Sequence, residues 1–250
     1  MFRPVLAIVA VIGSCVGAVE TKVEDRTGKD PLTPVAVSTN AQFYKSDGSF
    51  DPKAAREAYF AMFRAFGYPI APRLKTDEFW VSDFVDRDFA RVGLGGVFWM
   101  NVTGAYPKET KPISERFGYC GMDMFLLPGQ MIPEHNHPEK AKEHDIKMEG
   151  WLIRYGSVTL FSAVAGDASW KPISEMPKDQ QPIGFGEPWF KCKFYLVKQA
   201  GETATMDTPG GWHFQRGGPN GAIVTEFATY HNSAAFSKPG MVWGDSAAKK

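Results

Sequence analysis

The sequence predicts a mainly β fold, a barrel of antiparallel strands with a helical cap on its N-terminal side. Three observations carry this expectation. From about residue 89 onward the apolar residues fall into short runs broken by Gly, Pro, Asn and Asp, as strands joined by tight turns do. Gly (25) and Pro (18) are plentiful and aromatics make up 14%, a composition that suits turns and pleated surfaces better than helices. One stretch just after residue 50 carries clear helical periodicity.

The elements follow in chain order. Residues 1–18 read as a signal peptide. Arg3 supplies a positive start, the run from Val5 to Ile12 is too short to span a bilayer, and Val16-Gly17-Ala18 resembles a signal-peptidase site. Ile12-Gly13-Ser14-Cys15 also fits a lipobox loosely, which would place a lipid anchor on Cys15. Either way the expectation is export, to the periplasm or to the bacterial cell envelope, with no membrane span. Residues 19–40 are polar and aperiodic, a flexible leader.

Residues 41–90 are expected to form the helical cap. Asp51 is a good N-cap and Pro52 suits the first turn. Ala55, Ala58, Tyr59, Met62, Phe63 and Phe66 follow at helical spacing, and Gly67 with Pro69 stops the helix. Thr76 is expected to cap a short helical turn through Asp77 to Trp80. Residues 91–238 are expected to form the barrel, with strands at 97–102, 121–127, 151–161, 190–197, 203–206 and 222–229. Residues 239–250 are expected as a loose tail.

Composition narrows the function. Lys+Arg and Asp+Glu are both 28, so the formal charge is zero, no basic stripe stands out, and nucleic acid is not an expected partner. A hydrophobic fraction of 44% supports a sizeable core without a disulfide scaffold. Cys120 and Cys192 are therefore expected as free, buried thiols.

The chemistry concentrates in five of the chain's ionisable residues. Of five histidines, two form His135-Asn136-His137. Residues two apart on extended chain point the same way, so both imidazoles can converge on one point. Glu149 opens an apolar strand, with Trp151, Ile153 and Tyr155 expected on its face. A lone buried carboxylate is costly, and a nearby cation offsets that cost. Pro209-Gly210-Gly211-Trp212 turns the chain and delivers His213. Glu226 lies on a later strand, with Val224 and Ala228 on its face. Glu143, His144 and Asp145 lie between His137 and Glu149 and stay open as alternative ligands.

This pattern resembles the cupin superfamily. Gly129, His135, His137, Glu149 and Gly156 match the first cupin motif on both flanks, and Pro209 to His213 resembles the second. The eleven residues from Pro138 to Met148 exceed the usual gap and read as an inserted mouth loop. The resemblance implies a cupin-type β-barrel, or jelly roll, holding one divalent metal on His135, His137, Glu149 and His213. Three imidazoles and one carboxylate leave open positions in an octahedral sphere. Mn²⁺ is the expected ion, with Fe²⁺, Co²⁺, Ni²⁺ and Zn²⁺ as alternatives.

Within cupins the chain resembles the D-lyxose ketol-isomerases, including D-lyxose/D-mannose-type sugar isomerases. Phe66 to Pro72, Lys147-Met148-Glu149, Pro209 to His213 and Thr225 to Asn232 carry the likeness. It implies a small-molecule sugar substrate, a homodimer, and proton transfer between C1 and C2 through a metal-stabilised enediolate. Glu226 is the expected base, and Lys147 is expected to steady the developing oxyanion or act as an acid. An Fe²⁺ cupin oxygenase and a non-catalytic sugar-binding cupin are the competing readings.

Overall fold

The computed structural model describes residues 33–102, 118–138, 147–206, 208–229, 231 and 234–244. The expected signal peptide with Cys15, most of the leader, and Glu143, His144 and Asp145 lie outside the described residues. No helix of the described residues is long and apolar enough to cross a membrane.

The cap helix α1 (Pro52–Phe66) forms as its sequence dictates. Asp51 accepts from the backbone N–H groups of Lys53 and Ala54, and Gly67 ends the helix in the left-handed region at φ 68°. Tyr59, Met62, Phe63 and Phe66 are buried together on one face. They pack with Phe79, Phe125 and Ile223 into a core that lies between helix and sheet.

The strands are β1 (Phe79–Ser82), β2 (Leu94–Val102), β3 (Tyr119–Leu126), β4 (His135–Asn136), β5 (Glu149–Ser162), β6 (Lys171–Pro172), β7 (Phe194–Gln199), β8 (Thr203–Thr205), β9 (His213–Ala228) and β10 (Ala235–Phe236). They form one antiparallel sheet in the order β1-β2-β3-β9-β5-β7-β6, with β8 on β5 and β4 between β9 and β10. A second core, around Met122, Met124, Trp151, Ile153, Leu160 and Phe214, fills the inside of the rolled sheet.

Three local expectations are corrected. The helical turn expected through Asp77 to Trp80 does not form: Asp77 and Glu78 turn the chain into β1, where Phe79 and Trp80 pair with Val97 and Gly96, and a 3-10 turn occupies Pro72–Lys75 instead. Pairing to β2 outweighs the weak local capping signal at Thr76. The strand expected at 222–229 is β9, which begins already at His213. Gly217, Gly218, Pro219 and Gly221 read as a break, yet here they make a corner within one strand. Tyr155 does not share the face of Glu149, because the register shifts between Ile153 and Tyr155. Tyr155 packs outward against the cap, while Ile153 stays in the inner core.

That corner positions the site. β5 and β9 pair along almost their full lengths, with Glu149 opposite Ala228 at one end and Ser162 opposite His213 at the other. A straight strand of 14 residues extends about 45 Å. His213 Nε2 nevertheless lies 2.9 Å from Glu149 Oε2, so the ribbon folds back on itself. The bend sits at Gly156 (φ 70°) and Gly221 (φ 80°). A Cβ on Gly156 would lie 2.1 Å from the Gly221 carbonyl oxygen, so glycine is required for the two chains to pass.

Candidate active site

The folded-back ribbon brings together residues far apart in sequence. His135 on β4 pairs directly with His213 on β9, and their rings lie 4.4 Å apart. His137 follows just after β4, with its ring 5.1 Å from that of His135 and 5.8 Å from that of His213. One ligand atom from each of the three falls within 4.8 Å of the others. Glu149 closes the group, with Oε1 at 3.2 Å from His137 Nε2 and Oε2 at 2.9 Å from His213 Nε2.

The donor set fits a divalent cation. His135 Nδ1 lies 2.8 Å from the Pro133 carbonyl and His213 Nδ1 lies 2.9 Å from that of Gly211. A carbonyl oxygen carries no proton, so each Nδ1–H donates, and in the neutral ring Nε2 keeps its lone pair. Such backbone bonds are the outer partners that orient metal-binding imidazoles. Lone pairs then meet the Glu149 carboxylate, which a shared cation relieves.

Beside this cluster lies a second, also buried. Lys147 is 1% exposed and its three N–H groups are all engaged. It donates to Glu149 Oε1, to Glu226 Oε1 at 2.6 Å and to His231 Nδ1 at 2.8 Å. An ammonium has three donors, so none is left over for a developing oxyanion in this arrangement. Glu226 Oε2 accepts from Trp151 Nε1 at 3.4 Å. β5 pairs Trp151 with Glu226, which sets this contact.

Charges are strongly tuned. Burial opposes ionisation of Glu149, but the Lys147 ammonium and then His213 reverse it and hold the carboxyl well below its ordinary range. Burial likewise works against Glu226, and Lys147 again holds it low. Burial disfavours the Lys147 ammonium, yet the two carboxylates outweigh it and push its pKa up. Burial and the Lys147 charge pull His231 down to about 4, so at neutral pH its Nδ1 is free to accept from lysine. His135 is pushed well below its usual value by burial and the neighbouring histidines, while Glu149 raises His213 despite burial. Two ionised carboxylates and one ammonium therefore share a buried interior, with His135 and His231 held neutral beside them.

The cluster opens on a small cavity. Its walls carry His135, His137, His213, Glu226 and His231 together with Trp80, Trp151, Gln215 and Trp243. Of the residues expected at the site, His135, His137, Glu149, His213, Glu226 and Lys147 are neighbours. Two other aromatic rings stay out of the cavity wall: Trp99 packs with the cap and Phe214 stacks on Phe161 at 4.3 Å. Sequence reasoning left four residues of this wall out of the site, and Trp80 among them was read only as the end of a helical turn. His231 lies outside any motif spacing that marks a ligand. Gln215 was legible in principle, because it stands two residues after His213 on the same strand face. Trp243 lies in the stretch expected as a loose tail, yet its ring packs on Trp80 and Phe84, and the Gly244 N–H donates to Ser82 Oγ at 3.0 Å.

No family model matches the chain. It is 30% identical over 177 residues to the D-lyxose ketol-isomerase of Cohnella laeviribosi, a match covering 71% of this chain and 84% of that protein. It is 28% identical over 189 residues to the D-lyxose/D-mannose isomerase of Thermosediminibacter oceani, covering 75% and 91%. Among solved structures, the L-ribose isomerase of Acinetobacter sp. DL28 with L-ribose superposes with a TM-score of 0.53 at 20% identity, covering 74% of this chain and 89% of that one. The L-ribose isomerase of Cellulomonas parahominis without ligand gives 0.54 at 18%, covering 83% and 95%. At these identities the structural likeness is one of fold.

Proposed function

We propose a reaction for this chain from one premise: it belongs to the D-lyxose ketol-isomerase family. It is an aldose–ketose isomerase with a sugar substrate, and its buried histidine triad calls for a divalent metal. We take the substrate to be D-lyxose or a related sugar such as D-mannose, the ion to be Mn²⁺ and its ligands to be His135, His137, Glu149 and His213. The expected alternatives, an Fe²⁺ oxygenase and a sugar-binding barrel, draw no support from these relatives.

The observation that carries the reading is an ionised carboxylate in a dry cavity beside a cation-fitting cluster. Glu226 lines that cavity and is buried, yet Lys147 keeps it charged. It is the base that takes the proton from C2 of the open-chain aldose and returns it to C1, while the O2 hydroxyl proton passes to O1; together the two transfers yield the ketose. Lys147 is a positioning residue in this scheme. It fixes the rotamer of Glu226 and keeps the Glu149 carboxylate available as a ligand. His231 holds the third Lys147 proton and so fixes the direction of the ammonium. Trp151 directs the other Glu226 oxygen. When bound, the divalent ion supplies polarisation of the sugar carbonyl and stabilisation of negative charge.

We further infer that the enzyme works outside the cytoplasm, from the apolar run and small residues at 5–18, and as a homodimer. The deciding experiment loads the purified protein with Mn²⁺ and supplies D-lyxose or D-mannose. Ketose should form with wild type and not with Glu226→Gln, whose metal content should match wild type. No turnover of any aldopentose or aldohexose, with O₂ uptake on Fe²⁺ loading, would sink the isomerase reading.

A further inference from the structure

The groups used in the proposed reaction make up only part of the cavity wall. Two more polar side chains line it that the mechanism does not use, Gln215 and Trp80. Gln215 is 2% exposed and Trp80 is 5% exposed. Gln215 Oε1 and Trp80 Nε1 are buried, and neither has a hydrogen-bond partner among the described residues. Native interiors rarely leave such atoms unmet, and in a cavity wall they point to a ligand group. One is an acceptor and the other a donor. A hydroxyl group both donates and accepts, so a polyol matches this pair and an apolar ligand does not.

Their placement is built into the sheet. Gln215 stands two residues beyond His213 on β9, so its side chain shares the face of the candidate ligand. Its backbone is locked by pairing to Leu160 and by the Ile132 N–H at 2.9 Å. Trp80 on β1 pairs with Gly96 on β2, and its ring lies over that glycine. A Cβ at Gly96 would come 2.4 Å from Trp80 Cζ2, so the indole reaches this position only because residue 96 has no side chain. Trp243 packs edge-on against the Trp80 ring at 6.0 Å and holds it from the other side.

We propose that Gln215 and Trp80 are the hydroxyl-recognition pair of the cavity, binding the part of the sugar beyond its reacting carbons and so setting which sugars are accepted. This rests on the isomerase reading and adds the residues that select the substrate. A site built to hydrogen-bond a hydroxyl rejects an analogue that lacks it, because its own buried groups are then left unpaired.

The test uses the full chain loaded with Mn²⁺ and D-arabinitol, the non-reacting alditol of D-lyxose, with its deoxy analogues. Binding is read by isothermal calorimetry and metal content by elemental analysis. Gln215→Met keeps the volume and removes the acceptor; Trp80→Phe keeps a ring and removes the N–H. Each should weaken D-arabinitol binding roughly tenfold to a hundredfold with metal content unchanged. The deoxy analogue lacking the contacted hydroxyl should bind wild type and Gln215→Met alike. Unchanged affinity in both variants, or an equal loss against every deoxy analogue, overturns the pair and leaves the isomerase reading standing. Wild-type protein that neither binds an alditol nor turns over a sugar overturns both.

Discussion

Replacing Lys147 with Met tests the charge balance on which the site depends. Met fills a similar volume without an ammonium. Lys147 is the cation paired with two buried carboxylates, Glu149 at 5% and Glu226 at 4% exposure. Removing one partner of a buried pair costs about 3–5 kcal/mol, because the remaining charge is left uncompensated. Glu226 keeps the Trp151 N–H, so the lower half of that range, about 3–4 kcal/mol, applies to the metal-free protein. In a chain of this size each kcal/mol lowers Tm by about 2–4 °C, which gives a fall of roughly 6–16 °C. Thermal unfolding of the metal-free protein by circular dichroism measures it. Adding the divalent ion should narrow the gap, since it places positive charge beside Glu149. A metal-free Tm within about 2 °C of wild type would show that both carboxylates are neutral or hydrated, and the argument for an ionised Glu226 would go with it.

Three further outcomes follow from the same geometry. His135→Ala and His213→Ala should each lower metal affinity by more than the roughly 10–100-fold that loss of an outer partner costs, read by elemental analysis after dialysis; retention of one ion by both variants would show the cluster is misassigned. Gly96→Ala should cost about 1–3 kcal/mol by overpacking and shift tryptophan emission, since its Cβ meets the Trp80 ring at 2.4 Å; a stability equal to wild type would mean Trp80 moves freely. Alkali should destabilise the cap. Burial raises the pKa of Tyr59 well above its ordinary 10. Below pH 10 both folded and unfolded chains hold that proton; above it only the unfolded chain ionises, and stability falls by about 1.4 kcal/mol per pH unit. Tyr59→Phe should flatten that slope in urea titrations between pH 10 and 11, and an unchanged slope would place the effect elsewhere.

The fold was legible where pattern and turn chemistry agree. Asp51, Pro52 and Gly67 mark α1 because capping is local, and Gly67 takes the positive φ its position demands. The alternating runs of β3 and β5 likewise show themselves. β1 was not legible, since four residues without a turn signal become a strand only by pairing with β2. The break expected before residue 222 was the opposite error. Gly217 to Gly221 carries every turn signal, yet the chain uses those residues to bend a paired ribbon. The histidines with Glu149 could be grouped through their spacing to Gly129 and Gly156. The roles of Lys147 and His231 were hidden, because what matters there is which three acceptors surround one ammonium, a tertiary property with no spacing of its own.

The β5–β9 ribbon explains why the metal-binding and proton-moving groups come as one unit. Pairing Trp151 with Glu226, and Glu149 with Ala228, places the candidate base two residues from the end of β9 and the candidate ligand at the end of β5. Two carboxylates so close would repel in a dry interior, and one would take up a proton. Lys147, two residues before Glu149, removes that conflict by bridging both. The same lysine thus keeps both carboxylates ionised at neutral pH, as the proposed ligand Glu149 and the proposed base Glu226 require. A shift of one residue in the β5–β9 register would turn Glu226 to the outer face and leave Lys147 and Glu149 inside. The corner at Gly156 and Gly221, where a Cβ cannot fit, is therefore as much a condition for catalysis as the carboxylate itself.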